Sequence, residues 1–177
     1  MCRRLARLKH FPEAFAALDA GLALRRKLAD AHPTIALYAN DLGYSHAYRG
    51  WAHVQAGHPA EAAADLRRAV ALWARGPATH PEMRFERSRA LALLAGLGSN
   101  AKSGVAAAEA AAFADQAVAA LRDAVGAGWA QRSKLKEPDF DPLRPRDDFR
   151  QLVKELEAKA AAAHRLKDGA RLPPEKK

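Results

Sequence analysis

The chain repeats itself. Residues 10–33, HFPEAFAALDAGLALRRKLADAHP, lie over residues 58–81, HPAEAAADLRRAVALWARGPATHP, at a constant offset of 48 residues. Glu13-Ala14 falls on Glu61-Ala62, Leu18 on Leu66, Leu24 on Leu72 and His32-Pro33 on His80-Pro81. The same shift carries Gly50 onto Gly98. A period of this length marks a stacked array, in which one supersecondary unit buries its apolar face only against the next.

Each copy reads as a helical pair. Its second helix opens beside a proline, Pro12 or Pro59, with an acid in the first turn, where spare N–H groups and the positive dipole end favour both. Phe11, Phe15, Leu18 and Leu22 recur at helical spacing, as do Ala62, Leu66, Ala69 and Trp73, and Pro33 and Pro81 break the pattern. Apolar residues make up 49% of the chain but aromatics only 7%. Alanine, the best helix former, fills most of the difference, and β-branched residues are thin. The fold class is therefore all-α.

The spacing predicts a partial helix over 2–9 and helices near 12–30, 35–56, 59–75, 82–98 and 106–126. A loop is expected at 99–105. From 127 the composition turns to loops, and a capping helix is expected near 146–163. Pro145 stands at its first turn, Asp147 and Asp148 favour its dipole, and Phe149, Leu152, Val153, Leu156 and Ala160 form its buried stripe. Three regions follow: repeats over 1–126, a turn-rich segment with its cap over 127–163, and a basic disordered tail over 164–177.

The run Gly57-x-x-x-Glu61-Ala62-x-x-x-Leu66-x-x-Ala69-x-x-Leu72 resembles the second half of a tetratricopeptide repeat, and residues 41–50, DLGYSHAYRG, resemble the first helix of its longer-linker variety. With residues 120–129, ALRDAVGAGW, then 139–144, DFDPLR, and 146–152, RDDFRQL, the chain is similar to the C-terminal repeat region of bacterial Ser/Thr protein kinases of the planctomycete type. The resemblance covers roughly 5–157 and implies a short right-handed α-α superhelix of helix-turn-helix units with a C-terminal capping helix. It also implies close helix crossings at Gly50, Ala62 and Ala69. Arg49 departs from it, standing where the family prefers a large apolar residue, and the copy at 99–112 has lost most repeat signals. The first repeat is incomplete, leaving an edge suited to self-association.

No residue set here points to catalysis. The glycine-rich loop, strand lysine, H-R-D and D-F-G elements of a kinase are missing, so this chain is not expected to be an enzyme. Gly96-Leu97-Gly98-Ser99-Asn100-Ala101 fits a dinucleotide fingerprint by letter but ends a helix rather than joining strand to helix, and no cofactor is expected. His46, His53 and His58 lack supporting ligands, so no metal is expected, and His46 is read as packed between helices with a satisfied ring nitrogen. Cys2 has no partner base. Asp139, Asp141 and Asp148 are read as turn and helix-start residues that pair with Arg144 and Arg146.

Tyr44, Tyr48, Trp51 and Gln55 line one face of the 35–56 helix and are the candidate partner-binding residues. The same stripe reads as core packing against the 59–75 helix, the favoured reading because a short array has few other large residues to fill it. The net charge of +9 favours an acidic protein or peptide as partner. The alternative is nucleic acid held through Arg25-Arg26, Arg67-Arg68 and the basic tail. With a lone cysteine, no signal-peptide run and no apolar stretch of spanning length, a cytoplasmic, membrane-free protein is expected.

Overall fold

Prolines and first-turn acids start the helices. The computed structural model describes residues 10–75 and 80–169, with side chains as far as residue 162. Helices α1 (Phe11–Ala31), α2 (Ala36–Ala56), α3 (Pro59–Trp73), α4 (Pro81–Leu97) and α5 (Ala107–Gly126) follow one another. In α1, α3 and α4 a proline stands at the first or second position, with Glu13, Glu61 or Glu82 in the first turn. A 3-10 turn, Ala101–Ser103, interrupts the loop before α5, and two more, Arg132–Lys136 and Pro138–Leu143, lead to α6 (Asp147–Gly169). All five expected repeat helices agree with the observed ones to within two residues. The cap helix runs to Gly169, beyond the expected end at 163, so residues 164–169 are helical rather than disordered. The predicted helix over 2–9, Cys2 and residues 170–177 lie outside the described residues.

Among the described residues there is no strand, and no helix is long and apolar enough to cross a membrane. Each of α1 to α5 packs against its successor, most extensively α2 on α3 and α4 on α5. The repeat is more regular than its sequence shows: α1, α3 and α5 start at residues 11, 59 and 107, forty-eight residues apart each time. Equivalent positions carry the packing. Ala14 and Ala62 are fully buried, Leu18 and Leu66 follow them into the core, and Ala114 takes the same place in α5. Burying a leucine such as Leu66 contributes about 1.5–3 kcal/mol.

Small residues permit the crossings. A Cβ on Gly50 would stand 2.8 Å from Leu66 Cγ, and one on Gly98 would stand 2.2 Å from Ala110 Cβ. These two glycines occupy equivalent repeat positions, and each admits the following helix. Helix α4 is buried around its circumference. Met83, Ala90, Leu93 and Leu94 face a core shared with α1–α3, whereas Phe85, Leu91 and Ala92 face a second core with α5 and the C-terminal segment. A helix buried on every side belongs at the centre of a fold, and α4 joins the two cores.

The expected stripe of α6 closes the second core. Phe149, Leu152 and Leu156 are buried, Val153 and Ala160 half-buried. Arg144 Nε stands 2.6 Å from Asp141 Oδ1 and Arg146 reaches Asp148 at 2.8 Å, as the turn reading anticipates; Arg146 also pairs with Asp115 of α5 at 2.6 Å, which that reading did not include. Asp139 differs: it is buried in an ion-pair cluster.

Candidate partner-binding groove

Charged residues inside an alanine-rich array need partners, and they find them across helices. Asp65 of α3, 3% exposed, accepts hydrogen bonds from Arg49 Nε at 2.7 Å and Arg49 Nη2 at 2.9 Å, and its Oδ1 lies 2.9 Å from His46 Nδ1. Arg49 also donates to Asp19 of α1 at 2.6 Å. One guanidinium thus ties α1, α2 and α3 together. Burial would raise the Asp65 carboxyl, but the bonds from His46 and Arg49 outweigh it and hold the group below its ordinary value. His46 is buried with a bonded ring nitrogen, as the sequence reading has it.

A second cluster surrounds Arg89 of α4, itself 3% exposed. Its guanidinium reaches Glu86 at 2.8 Å, Glu137 at 3.1 Å and Asp139 at 3.3 Å. Trp51 of α2 donates its indole N–H to Asp139 at 3.0 Å. Helix α2 and the 3-10 turn Pro138–Leu143 are thereby joined to α4.

The α2 stripe divides accordingly. Trp51 is 4% exposed and belongs to the core, its polar atom engaged by Asp139, so it is not an exposed anchor. Tyr48 is half-buried against the same core, and Gln55 is exposed near the helix end. Tyr44 packs edge-on against Trp73, with ring centroids 5.3 Å apart, yet its other side lines a cleft. Burial, reinforced by the charges of Glu86, Glu82 and Asp41, raises the Tyr44 phenol well above its ordinary value, so it stays a neutral hydrogen-bonding group.

That cleft, about 510 Å³, lies between the N-terminal halves of α2 and α4, with Leu37, Asp41, Tyr44, Glu82, Met83 and Trp129 on its walls. Leu37 is 62% exposed. Its equivalent one repeat on is Phe85, which is fully buried. The difference has a structural cause: the chain's own Trp129 stacks on Phe85, centroids 4.2 Å apart and planes within 10°, and Phe140 and Lys134 complete the cover. Lys134 is held there by Glu82 at 2.5 Å and Gln131 by the same carboxylate at 3.2 Å. The indole N–H of Trp129 is buried with no hydrogen-bond partner among the described residues.

Sequence reasoning missed this cover over Phe85. The only signal was the aromatic spacing of Trp129 and Phe140, within a segment read as turns. The arginines proposed for phosphate contact are partly engaged elsewhere. Arg25 donates to Ser45 at 2.8 Å, and Arg67 bonds both Glu109 oxygens and the Gly104 carbonyl. The dinucleotide-like run lies at the end of α4, where a Cβ on Gly96 would stand 2.7 Å from Pro142. No group of three or more His, Cys, Asp or Glu side chains among the described residues is placed to share a metal. No protein-family model, curated protein or solved structure matches the chain.

Proposed function

We propose that this chain is a tetratricopeptide-like helical-repeat module that binds a segment of another protein and carries out no chemistry of its own. The observation that carries this reading is the contrast between Leu37 and Phe85. The first two helix pairs carry an apolar side chain at the same repeat position, and the chain covers the second with Trp129 but leaves the first 62% exposed beside an open cleft. An exposed large apolar residue in a concave, partly polar setting is the arrangement that partner anchors use.

The intramolecular cover serves as a template for the partner in this reading. An aromatic or aliphatic side chain lies flat over position 37, as Trp129 does over position 85. Asp41 at the rim orients backbone amides or a basic side chain of the bound segment, while Glu82 stays with Lys134 and Gln131. Tyr44 takes part as a wall and hydrogen-bonding group, whereas Trp51 supports the wall from behind. The 48-residue register and the resemblance to tetratricopeptide repeats support the solenoid architecture that this binding mode requires. Attachment to a kinase-bearing polypeptide is one setting in which the module would work.

Site-specific photo-cross-linking tests the proposal. A photoreactive phenylalanine analogue at position 37 of the full chain should yield a discrete protein adduct in extracts of the source cells. The same analogue at Ala64, exposed on α3 and remote from both clefts' linings, should not yield it. Identical adduct patterns at both positions, or adducts only with nucleic acid, would sink the groove reading.

A further inference from the structure

A second cleft, about 750 Å³, opens on the far side of Ala130 and Gln131, between the 3-10 turn Arg132–Lys136 and α6. Its floor is apolar, formed by Leu135, Phe149, Val153 and Leu156. Its rim is basic: Arg132, Lys136, Arg144, Arg150 and Lys154 face it against one acid, Glu157. Two of these cations are neutralised at home. Arg144 pairs with Asp141, and Arg150 pairs with Asp147 while also donating to the Pro145 carbonyl. Arg132, Lys136 and Lys154 make no ion pair among the described residues, so three uncompensated positive charges surround the mouth of an apolar cavity.

From this geometry we infer that the cleft is a docking site for an acidic peptide segment carrying one large apolar side chain. The volume matches a pocket for a few side chains rather than a flat interface. The apolar residue enters between Val153 and Leu135, and flanking aspartates or glutamates meet Arg132, Lys136 and Lys154. Complementary rim charges steer such a segment and set its orientation. The chain's own tail does not suit the site. Residues 164–177 hold five lysines and arginines against two acids, so their net charge has the same sign as the rim. Nucleic acid suits it less well than peptide. Single strands need exposed aromatic faces for stacking, and Phe149, the aromatic of the cleft, is buried against Phe140 with centroids 6.1 Å apart.

The test is selection of a random dodecapeptide display library on the immobilised full chain, followed by fluorescence anisotropy with the best peptide. Enriched peptides should combine several Asp or Glu residues with a large apolar residue. Their affinity should fall about tenfold in Lys136→Glu/Lys154→Glu, as two rim-charge reversals imply, and further in Val153→Asp, with helicity retained in the charge-reversed protein. An oligo-dT probe run in parallel should bind weakly and not compete with the peptide. Enrichment without acidic bias, affinity indifferent to the lysine reversals, or oligo-dT displacing the peptide would overturn the assignment.

Discussion

Replacing Arg49 by methionine should destabilise the protein by about 2–3 kcal/mol, because the change strands a buried carboxylate. Arg49 gives Asp65 hydrogen bonds of 2.7 and 2.9 Å, and Asp65 is 3% exposed. Removing one partner of a fully buried pair costs about 3–5 kcal/mol. Two features lower that figure here. His46 still holds one carboxylate oxygen at 2.9 Å, and the Arg49 side chain is itself 21% exposed. The lost Asp19 contact adds little, since Asp19 is exposed and such pairs contribute about 0.2–1 kcal/mol. The double variant Arg49→Met/Asp65→Leu removes the stranded charge. It should be more stable than Arg49→Met by about 1 kcal/mol or more, even after the His46 ring loses its acceptor. Urea unfolding followed by far-ultraviolet circular dichroism measures all three free energies. The gap between wild type and Arg49→Met should also narrow as pH falls through the depressed Asp65 value, since that stabilisation exists only while Asp65 is ionised. A single-variant cost below about 0.5 kcal/mol, or a double variant no more stable than Arg49→Met, would refute the reasoning.

Other perturbations follow from the same packing. Gly50→Ala should cost about 1–3 kcal/mol in thermal unfolding, because the new Cβ meets Leu66 at 2.8 Å. Gly126→Ala, with nothing within 4 Å, should leave stability unchanged or raise it by up to about 1 kcal/mol. Trp51→Phe should cost about 2–4 kcal/mol in chemical denaturation, since it removes the donor to buried Asp139 and leaves a void. Burial, with His58 and Arg49 nearby, holds the His53 imidazole below its ordinary 6.5 despite the pull of Asp65. The unfolded chain therefore takes up its proton first, and stability should fall as pH drops below about 6.5. His53→Gln should flatten that part of a melting-temperature profile.

The repeat helices were legible because their boundaries rest on local chemistry. Pro12, Pro59 and Pro81 with the acids that follow them mark helix starts whatever the tertiary context. The division of the α2 stripe was not legible. Tyr44 and Trp51 lie on one helical face, and what separates them is Asp139, 88 residues further on, arriving to bond the Trp51 indole. A contact of that span leaves no periodic trace. The third copy of the repeat was hidden differently. Glu109-Ala110 continues the series of Glu13-Ala14 and Glu61-Ala62, but the leucine of the earlier copies becomes Ala114, so the apolar size pattern fades while the helix keeps its place. The packing over Phe85 was concealed because the segment that covers it follows the repeats in the chain and reads as turns.

Hydrogen–deuterium exchange of the full chain, with and without the protein cross-linked through position 37, tests the binding reading most directly. The account predicts slowed exchange confined to the cleft, at residues 37–44, 80–84 and 128–131, with the buried core around Leu66 unchanged. Protection absent from those segments, or concentrated on the outward faces of α1 and α3, would contradict it.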